Sequence, residues 1–231
     1  MAGPHKWDGT ISGLDFCEAA RTFSQRWKEV NPTLTHWVWI PRPMISGSAI
    51  GEGVGYLSLE NMCHQRSTED LVVSECCTAD EEQSVDCATL AQNDNRGIHF
   101  YDYHILYNFS YNVPVLYFRG YQYDGQPLPL ERVKEDFPPH SSSILKESRW
   151  TFLTTEDHPF LRRPWHMLHP CGTRDWMKLL FSSSHLSKSE AVRQYLPSWL
   201  SVVGQVVGFN LPLAIHEGLS SSPVTNWMQP S

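Results

Sequence analysis

The run IHFYDYHILYNFS, residues 98–110, decides the fold together with VLYF, residues 115–118. Both runs are rich in aromatic and branched apolar residues, which are favoured in β-strands. Between them lie Asn112 and Pro114, which are typical of turns. The sequence therefore predicts an antiparallel hairpin here, and this is the clearest strand signal in the chain.

Shorter elements are predicted before this hairpin and just after it. Residues 37–40 form a short apolar strand that Pro41 stops, and residues 55–59 alternate as a second strand. Residues 13–30 repeat apolar side chains at helical spacing, and residues 128–137 predict a short helix. The hairpin is thus expected to belong to a meander of four strands.

The carboxyl-terminal half is predicted to be a loop followed by a helix. Residues 148–178 show no regular period and contain three X-Pro steps, which is typical of a loop placed after a sheet. Residues 189–207 have helical spacing, Pro197 is expected to bend or split that helix, and Gly208 is a candidate cap. The order of elements predicts an α+β fold, with a four-stranded antiparallel meander sheet flanked by helices.

Length and composition favour one folded domain over residues 1–231. The chain is 41% hydrophobic and 19% charged, which allows a packed core. Its net charge of −7 argues against nucleic acid as a partner. No apolar run reaches the ~20 residues that span a bilayer, and the first residues lack a signal-peptide core. We expect a soluble, cytoplasmic protein without stable membrane insertion.

The negative charge is concentrated in residues 60–98, which carry nine acidic and two basic side chains. This segment lacks aromatic residues and sustained periodicity, so we predict a long, mobile acidic insertion that could attract a basic partner surface. Its cysteines match the spacing of no common metal site: Cys63, Cys76, Cys77 and Cys87. Residues from about 218 onward are expected to form a loose tail.

Cys171 is the candidate nucleophile. Pro170 restrains the backbone before the thiol, and Gly172 leaves room after it for a bulky acyl group. Thiols form energy-rich thioesters, so acyl transfer at this residue needs no metal and no organic cofactor. Two other interpretations stay open. Cys171 could be a small buried hydrophobic residue, or a metal ligand beside His166 and His169.

Six short motifs occur from residue 103 onward. They are YHILY at 103–107, YNVPVLYFR at 111–119, DG at 124–125, DHP at 157–159, LHPC at 168–171 and WLS at 199–201. Together they resemble the autophagy-related ubiquitin-like-conjugating enzymes, densely over residues 101–213 and weakly before that. The resemblance implies a ubiquitin-conjugating-enzyme-like fold, with Cys171 as the thioester site.

Two branches of that family share a His-Pro-Cys active site. One accepts the modifier autophagy-related twelve from the activating enzyme autophagy-related seven and transfers it to a lysine of autophagy-related five. The other transfers autophagy-related eight to phosphatidylethanolamine. Residues 111–119 and 199–213 resemble the first branch more closely. The resemblance therefore implies an acyltransferase that forms an isopeptide bond through a thioester, without a cofactor.

The residue that stabilises the oxyanion is not obvious from the sequence. Ordinary ubiquitin-conjugating enzymes place His-Pro-Asn before the cysteine, whereas here His-Pro runs directly into Cys171. The candidates are His169, Tyr111 and Asn112, and the resemblance favours His169 and Tyr111 as neighbours of the thiol. A positioned neutral donor is worth ~3–4 kcal/mol in the transition state.

Two alternative functions remain open at the level of sequence. The sister branch is expected to have a membrane-sensing amphipathic helix, and residues 13–30 carry three basic side chains beside Trp27. An inactive conjugating-fold scaffold would only bind partners and would not need Cys171. In addition, residues 37–40 and 115–118 are candidate edge strands for pairing with an acceptor protein.

Overall fold

The computed structural model describes residues 7–41, 55–65, 98–141, 153–182 and 186–217. The strands are β1 Val38–Ile40, β2 Tyr56–Gln65, β3 Ile98–Asn108, β4 Val113–Gln122, β5 Leu153–Asp157 and β6 Pro164–Leu168. The helices are α1 Gly13–Val30, α2 Leu130–Glu135, α3 Thr173–Ser182 and α4 Lys188–Val206. Short 3-10 turns occupy Pro170–Gly172 and Leu213–Ile215.

The predicted central hairpin is confirmed. β3 and β4 pair antiparallel from His99 opposite Gln122 to Asn108 opposite Val113. Pro114 was expected in the turn but lies inside β4. It is tolerated there because β4 pairs on its other side with β6 only further along, so the missing N–H removes no ladder bond on that side.

The α+β fold with an antiparallel sheet is confirmed, but the prediction of four strands is wrong. Within the described residues the sheet has six strands, in the order β1-β2-β3-β4-β6-β5. The two additional strands, β5 and β6, lie in the segment 148–178 that was predicted to be an irregular loop. A tight turn joins them, in which the His158 N–H donates to the Arg163 carbonyl oxygen at 2.9 Å. Because β6 pairs with the distant β4, no local pattern indicates it.

The main core lies between one sheet face and helices α1 and α4. Phe23 and Trp27 of α1 are buried and contact Trp37 and Phe209 through their rings. Ser12 caps α1 by accepting a hydrogen bond from the Asp15 N–H. None of the helices in the described ranges is long and apolar enough to cross a membrane.

α4 runs through Pro197 as a single helix, so of the two predicted effects of Pro197, a bend or a split, the split is wrong. The predicted cap is confirmed, because Gly208 adopts a left-handed φ of +74°. The N–H groups of Gly208 and Phe209 donate to the carbonyl oxygens of Gln205 and Gly204, respectively. This pair of hydrogen bonds is the Schellman motif, which satisfies carbonyl groups at the helix end.

The boundaries predicted for the acidic insertion are partly wrong. β2 continues through Gln65, and its last residues pair with the start of β3, so residues 60–65 are strand. Residues 66–97, which include Cys76, Cys77 and Cys87, and the predicted tail from 218 lie outside the described residues. Of the two candidate edge strands, β1 does lie at an edge of the sheet, whereas residues 115–118 lie inside it.

Candidate functional site

Cys171 lies where β6 leads into α3. The strand ends at Leu168, and Pro170–Gly172 forms one 3-10 turn before the helix begins. Pro170 and Gly172 are buried, whereas Cys171 is partly exposed and is not in a disulfide. Cys17, by contrast, is buried in the core, and burial raises the pKa of its thiol. The thiol of Cys171 is therefore not sealed in the interior, as a core residue would be.

His169 orders the backbone at the thiol. Its Nδ1 atom accepts a hydrogen bond from the Cys171 N–H at 3.2 Å, which caps the turn. Since Nδ1 is an acceptor, the proton of the neutral imidazole is on Nε2. The ring can thus donate a hydrogen bond from Nε2 but cannot use Nδ1 as a base toward the thiol.

Tyr111 lies beside His169, with the two rings edge to face and their centroids 5.5 Å apart. Tyr111 is 42% exposed, so its ring is open to a bound partner. The structure therefore brings together the three predicted site residues, Cys171, His169 and Tyr111, through contacts of His169 with each of the other two.

The β3–β4 turn that carries Tyr111 is fixed by a residue that the sequence analysis missed. Asn108 Oδ1 accepts hydrogen bonds from the N–H groups of Ser110 and Tyr111, each at 3.0 Å. Asn112 follows in the left-handed region with φ +54°, and its side-chain amide lies 3.0 Å from the Tyr107 hydroxyl oxygen. An Asn that precedes a turn is itself a signal for this geometry.

The metal interpretation finds no support in the geometry. His166 Nδ1 is hydrogen-bonded to Thr155 Oγ1 at 3.0 Å, and His169 Nδ1 is used by the Cys171 N–H. Within the parts of the chain that the structure describes, no three His, Cys, Asp or Glu side chains converge as metal ligands. The arrangement places a partly exposed thiol beside an imidazole and a phenol ring.

A buried histidine pair on the other face of the sheet was also missed. His158, at the turn between β5 and β6, is 0% exposed, and His104 of β3 is 1% exposed. His158 Nε2 and His104 Nδ1 lie 2.9 Å apart. Desolvation by burial lowers the pKa of each to about 3, so both are neutral. The pair fixes the turn from which β6 leads to Cys171.

Known proteins are similar to this chain over most of its length. The family model for the active-site domain of autophagocytosis-associated proteins matches residues 15–214. A ubiquitin-like-conjugating enzyme ATG10 of Arabidopsis thaliana is 44% identical over 214 residues, which cover 89% of this chain and 95% of the relative. The human ATG10 is 42% identical over 121 residues, or 52% and 54% of the two chains.

More distant similarities involve a sister protein and a solved structure. Autophagy-related protein 3 of Kluyveromyces lactis is 35% identical over 96 residues, which cover 41% of this chain and 30% of the relative. A crystal structure of the autophagic E2 Atg10 aligns with a TM-score of 0.45 at 12% identity, covering 87% of this chain and 99% of that one.

Proposed function

This chain belongs to the autophagocytosis-associated protein family and is a ubiquitin-like-conjugating enzyme of autophagy, and we propose that it uses Cys171 to transfer autophagy-related twelve. The modifier is received from the activating enzyme autophagy-related seven and passed to a lysine of autophagy-related five in the cytoplasm. The partly exposed Cys171 beside His169 and Tyr111 carries the proposal.

The first step is a transfer between two thiols. The Cys171 thiolate attacks the carbonyl carbon of the thioester on the activating enzyme. A carbon–sulfur bond forms to Cys171, the bond to the cysteine of the activating enzyme breaks, and that cysteine leaves as a thiolate. The partial exposure of Cys171 supports this step, because the approaching thioester is part of a large protein complex.

The second step forms the isopeptide bond. A lysine amine attacks the same carbonyl carbon, loses a proton to solvent, and expels Cys171 as a thiolate. Negative charge develops on the carbonyl oxygen, and preorganised donors stabilise it best. Tyr111 and His169 supply neutral donors from the hydroxyl and from Nε2, and neither needs a metal. We assign them to this role.

A charging assay tests the proposal. Purified protein is mixed with the activating enzyme, ATP and autophagy-related twelve, and adducts are separated with and without reductant. We expect a reductant-labile adduct with the wild type, none with Cys171→Ala, and only a reductant-resistant ester with Cys171→Ser. Cys63→Ser is the matched control, since Cys63 is also a partly exposed thiol but lies in β2.

Three results would overturn the proposal. A reductant-labile adduct that persists in Cys171→Ser places the thioester on another cysteine. Charging by autophagy-related eight alone assigns the sister reaction, and the absence of an adduct with either modifier favours an inactive scaffold.

A further inference from the structure

The segment that precedes α1, residues 8–11, lies directly against the beginning of α3. Arg174 of α3 donates from Nε to the Asp8 carbonyl oxygen at 3.3 Å and from Nη2 to the Asp8 carboxylate at 3.2 Å. Gly9 adopts a left-handed φ of +88°, and a Cβ atom there would lie 1.9 Å from the Arg174 carbonyl oxygen. The close approach therefore requires glycine at position 9. The residue that it approaches, Arg174, lies three residues after Cys171.

The same segment is bonded to the β3–β4 turn on its other side. The Ile11 N–H donates to the Asn112 carbonyl oxygen at 2.9 Å. The Tyr107 hydroxyl donates to the Ile11 carbonyl oxygen at 2.9 Å, and the same hydroxyl oxygen lies 3.0 Å from the Asn112 side-chain amide in the turn. Ile11 itself is buried, with 2% exposure.

A third contact holds the segment between these two elements. The Tyr195 hydroxyl of α4, which is fully buried, donates to the Gly9 carbonyl oxygen at 2.7 Å. Residues 8–11 are thus attached to α3, to α4 and to the turn, and we name this segment the strap.

The hydrogen-bonded pairing of β4 with β6 does not extend to the two walls of the site. Cys171 comes from the end of β6, whereas Tyr111 comes from the turn between β3 and β4. β4 and β6 pair only at Tyr117 and Phe118, several residues away from that turn. The Tyr111 ring packs directly on His169 across this gap. The strap adds hydrogen bonds to both sides, to Arg174 of α3 and to Asn112 of the turn.

We propose that the strap positions Cys171 relative to the Tyr111 turn, with Gly9 and Tyr107 as positioning residues for the transfer of the modifier. This inference rests on the proposed function. A displacement of reacting groups by about 1 Å can slow a reaction by about 10²-fold, so a small shift of the strap has a measurable effect.

The first test compares Gly9→Ala with Gly125→Ala. Both glycines have a left-handed φ, +88° and +82°, so both variants carry the same backbone strain. A Cβ at Gly125 meets no atom within 4 Å, whereas a Cβ at Gly9 meets the Arg174 backbone. We expect discharge of the preloaded thioester to free lysine to slow about tenfold in Gly9→Ala and less than twofold in the control.

The second test compares Tyr107→Phe with Tyr101→Phe. Both changes remove one hydrogen-bonded hydroxyl from β3 and keep the ring, but Tyr101 bonds to Asp136 at the opposite end of the strand. The two residues are about 20 Å apart along the strand. We expect Tyr107→Phe to lower the maximal discharge rate and leave the half-saturating lysine concentration unchanged, while Tyr101→Phe affects thermal stability only.

A measurement without the modifier separates this inference from the proposed function. Alkylation of Cys171 by iodoacetamide, followed by peptide mass mapping, should become severalfold faster in Gly9→Ala because the start of α3 is released. The proposal for the strap is overturned if each variant and its control show equal alkylation rates and equal discharge rates. If no modifier charges the wild type, the proposed function fails. The alkylation rates then still show whether the strap positions Cys171.

Discussion

Acidification from pH 7 to pH 5 should lower the free energy of unfolding by about 4 kcal/mol through the buried pair His104 and His158. Both side chains are sealed from solvent, at 1% and 0% exposure. Desolvation is the main cause that lowers each pKa to about 3, and the positive charge of Arg163 acts in the same direction. The unfolded chain has no such burial, so each histidine there titrates near 6.5.

The hydrogen bonds explain why neither ring accepts a second proton. His158 Nδ1 accepts from the backbone N–H groups of Phe160 and Leu161, each at 3.2 Å. His158 Nε2 therefore carries the proton and donates to His104 Nδ1, and His104 Nε2 in turn faces Ser58 Oγ at 2.9 Å. Protonation at either Nδ1 would place two donors against each other in a buried site.

The sign and size of this change in the free energy of unfolding follow from proton linkage. Below about pH 6.5 the histidines of the unfolded state bind protons, whereas those of the folded state do not until about pH 3. The contribution of this pair to the free energy of unfolding is therefore fully present above pH 6.5 and is lost on acidification. Between pH 7 and pH 5 each histidine contributes a loss of about 2 kcal/mol. For two histidines the loss is a large share of the ~5–15 kcal/mol that stabilises a typical domain.

Urea unfolding followed by tryptophan fluorescence at pH 7 and pH 5 measures this loss. His158→Gln removes one of the two buried titrations, so we expect the change between the two pH values to shrink by about 2 kcal/mol. His140→Gln is the control, because His140 is exposed. Other titrating groups cancel in the comparison. An equal pH dependence in wild type and His158→Gln would refute the reasoning.

Three further variants test other parts of the structure. Asn108→Ala removes the acceptor of two turn N–H groups, including that of Tyr111, and should slow transfer more than it lowers the melting temperature, measured by discharge and thermal unfolding. Ser187→Ala removes the capping box of α4 and should cost about 1 kcal/mol in urea unfolding. Gly204→Ala places a Cβ 2.6 Å from the Phe209 carbonyl oxygen and should cost about 1–3 kcal/mol in the same assay.

The elements that the sequence predicted are those with a local signal. β3 and the start of α4 show their periodicity within a few residues, and Gly208 lies directly after the helix that it caps. Cys171 was likewise indicated by its immediate neighbours, Pro170 and Gly172. The prediction that Tyr111 and His169 are neighbours of the Cys171 thiol came from the resemblance, since no spacing rule joins two loops that are far apart in sequence.

The features that were missed depend on contacts between segments and not on a periodic pattern within one segment. β5 consists largely of exposed polar residues, so it has no alternating apolar pattern, and its pairing with β6 alone makes it a strand. His104 is a polar residue in an aromatic strand, and its contacts with His158, Ser58 and Trp165 explain why it is buried. Neither the pairing of β5 with β6 nor the contacts of His104 can be seen in the local sequence pattern.

The place of Cys171 follows from β6, the strand that was predicted to be loop. β6 pairs antiparallel with β4, with Met167 opposite Tyr117 and His166 opposite Phe118. The strand ends at Leu168, and Cys171 follows in the 3-10 turn Pro170–Gly172. A register slip by one residue would turn every side chain of β6 to the other face of the sheet, and the buried Trp165 and Met167 oppose such a slip. The packing beneath β6 therefore fixes which residue reaches the site.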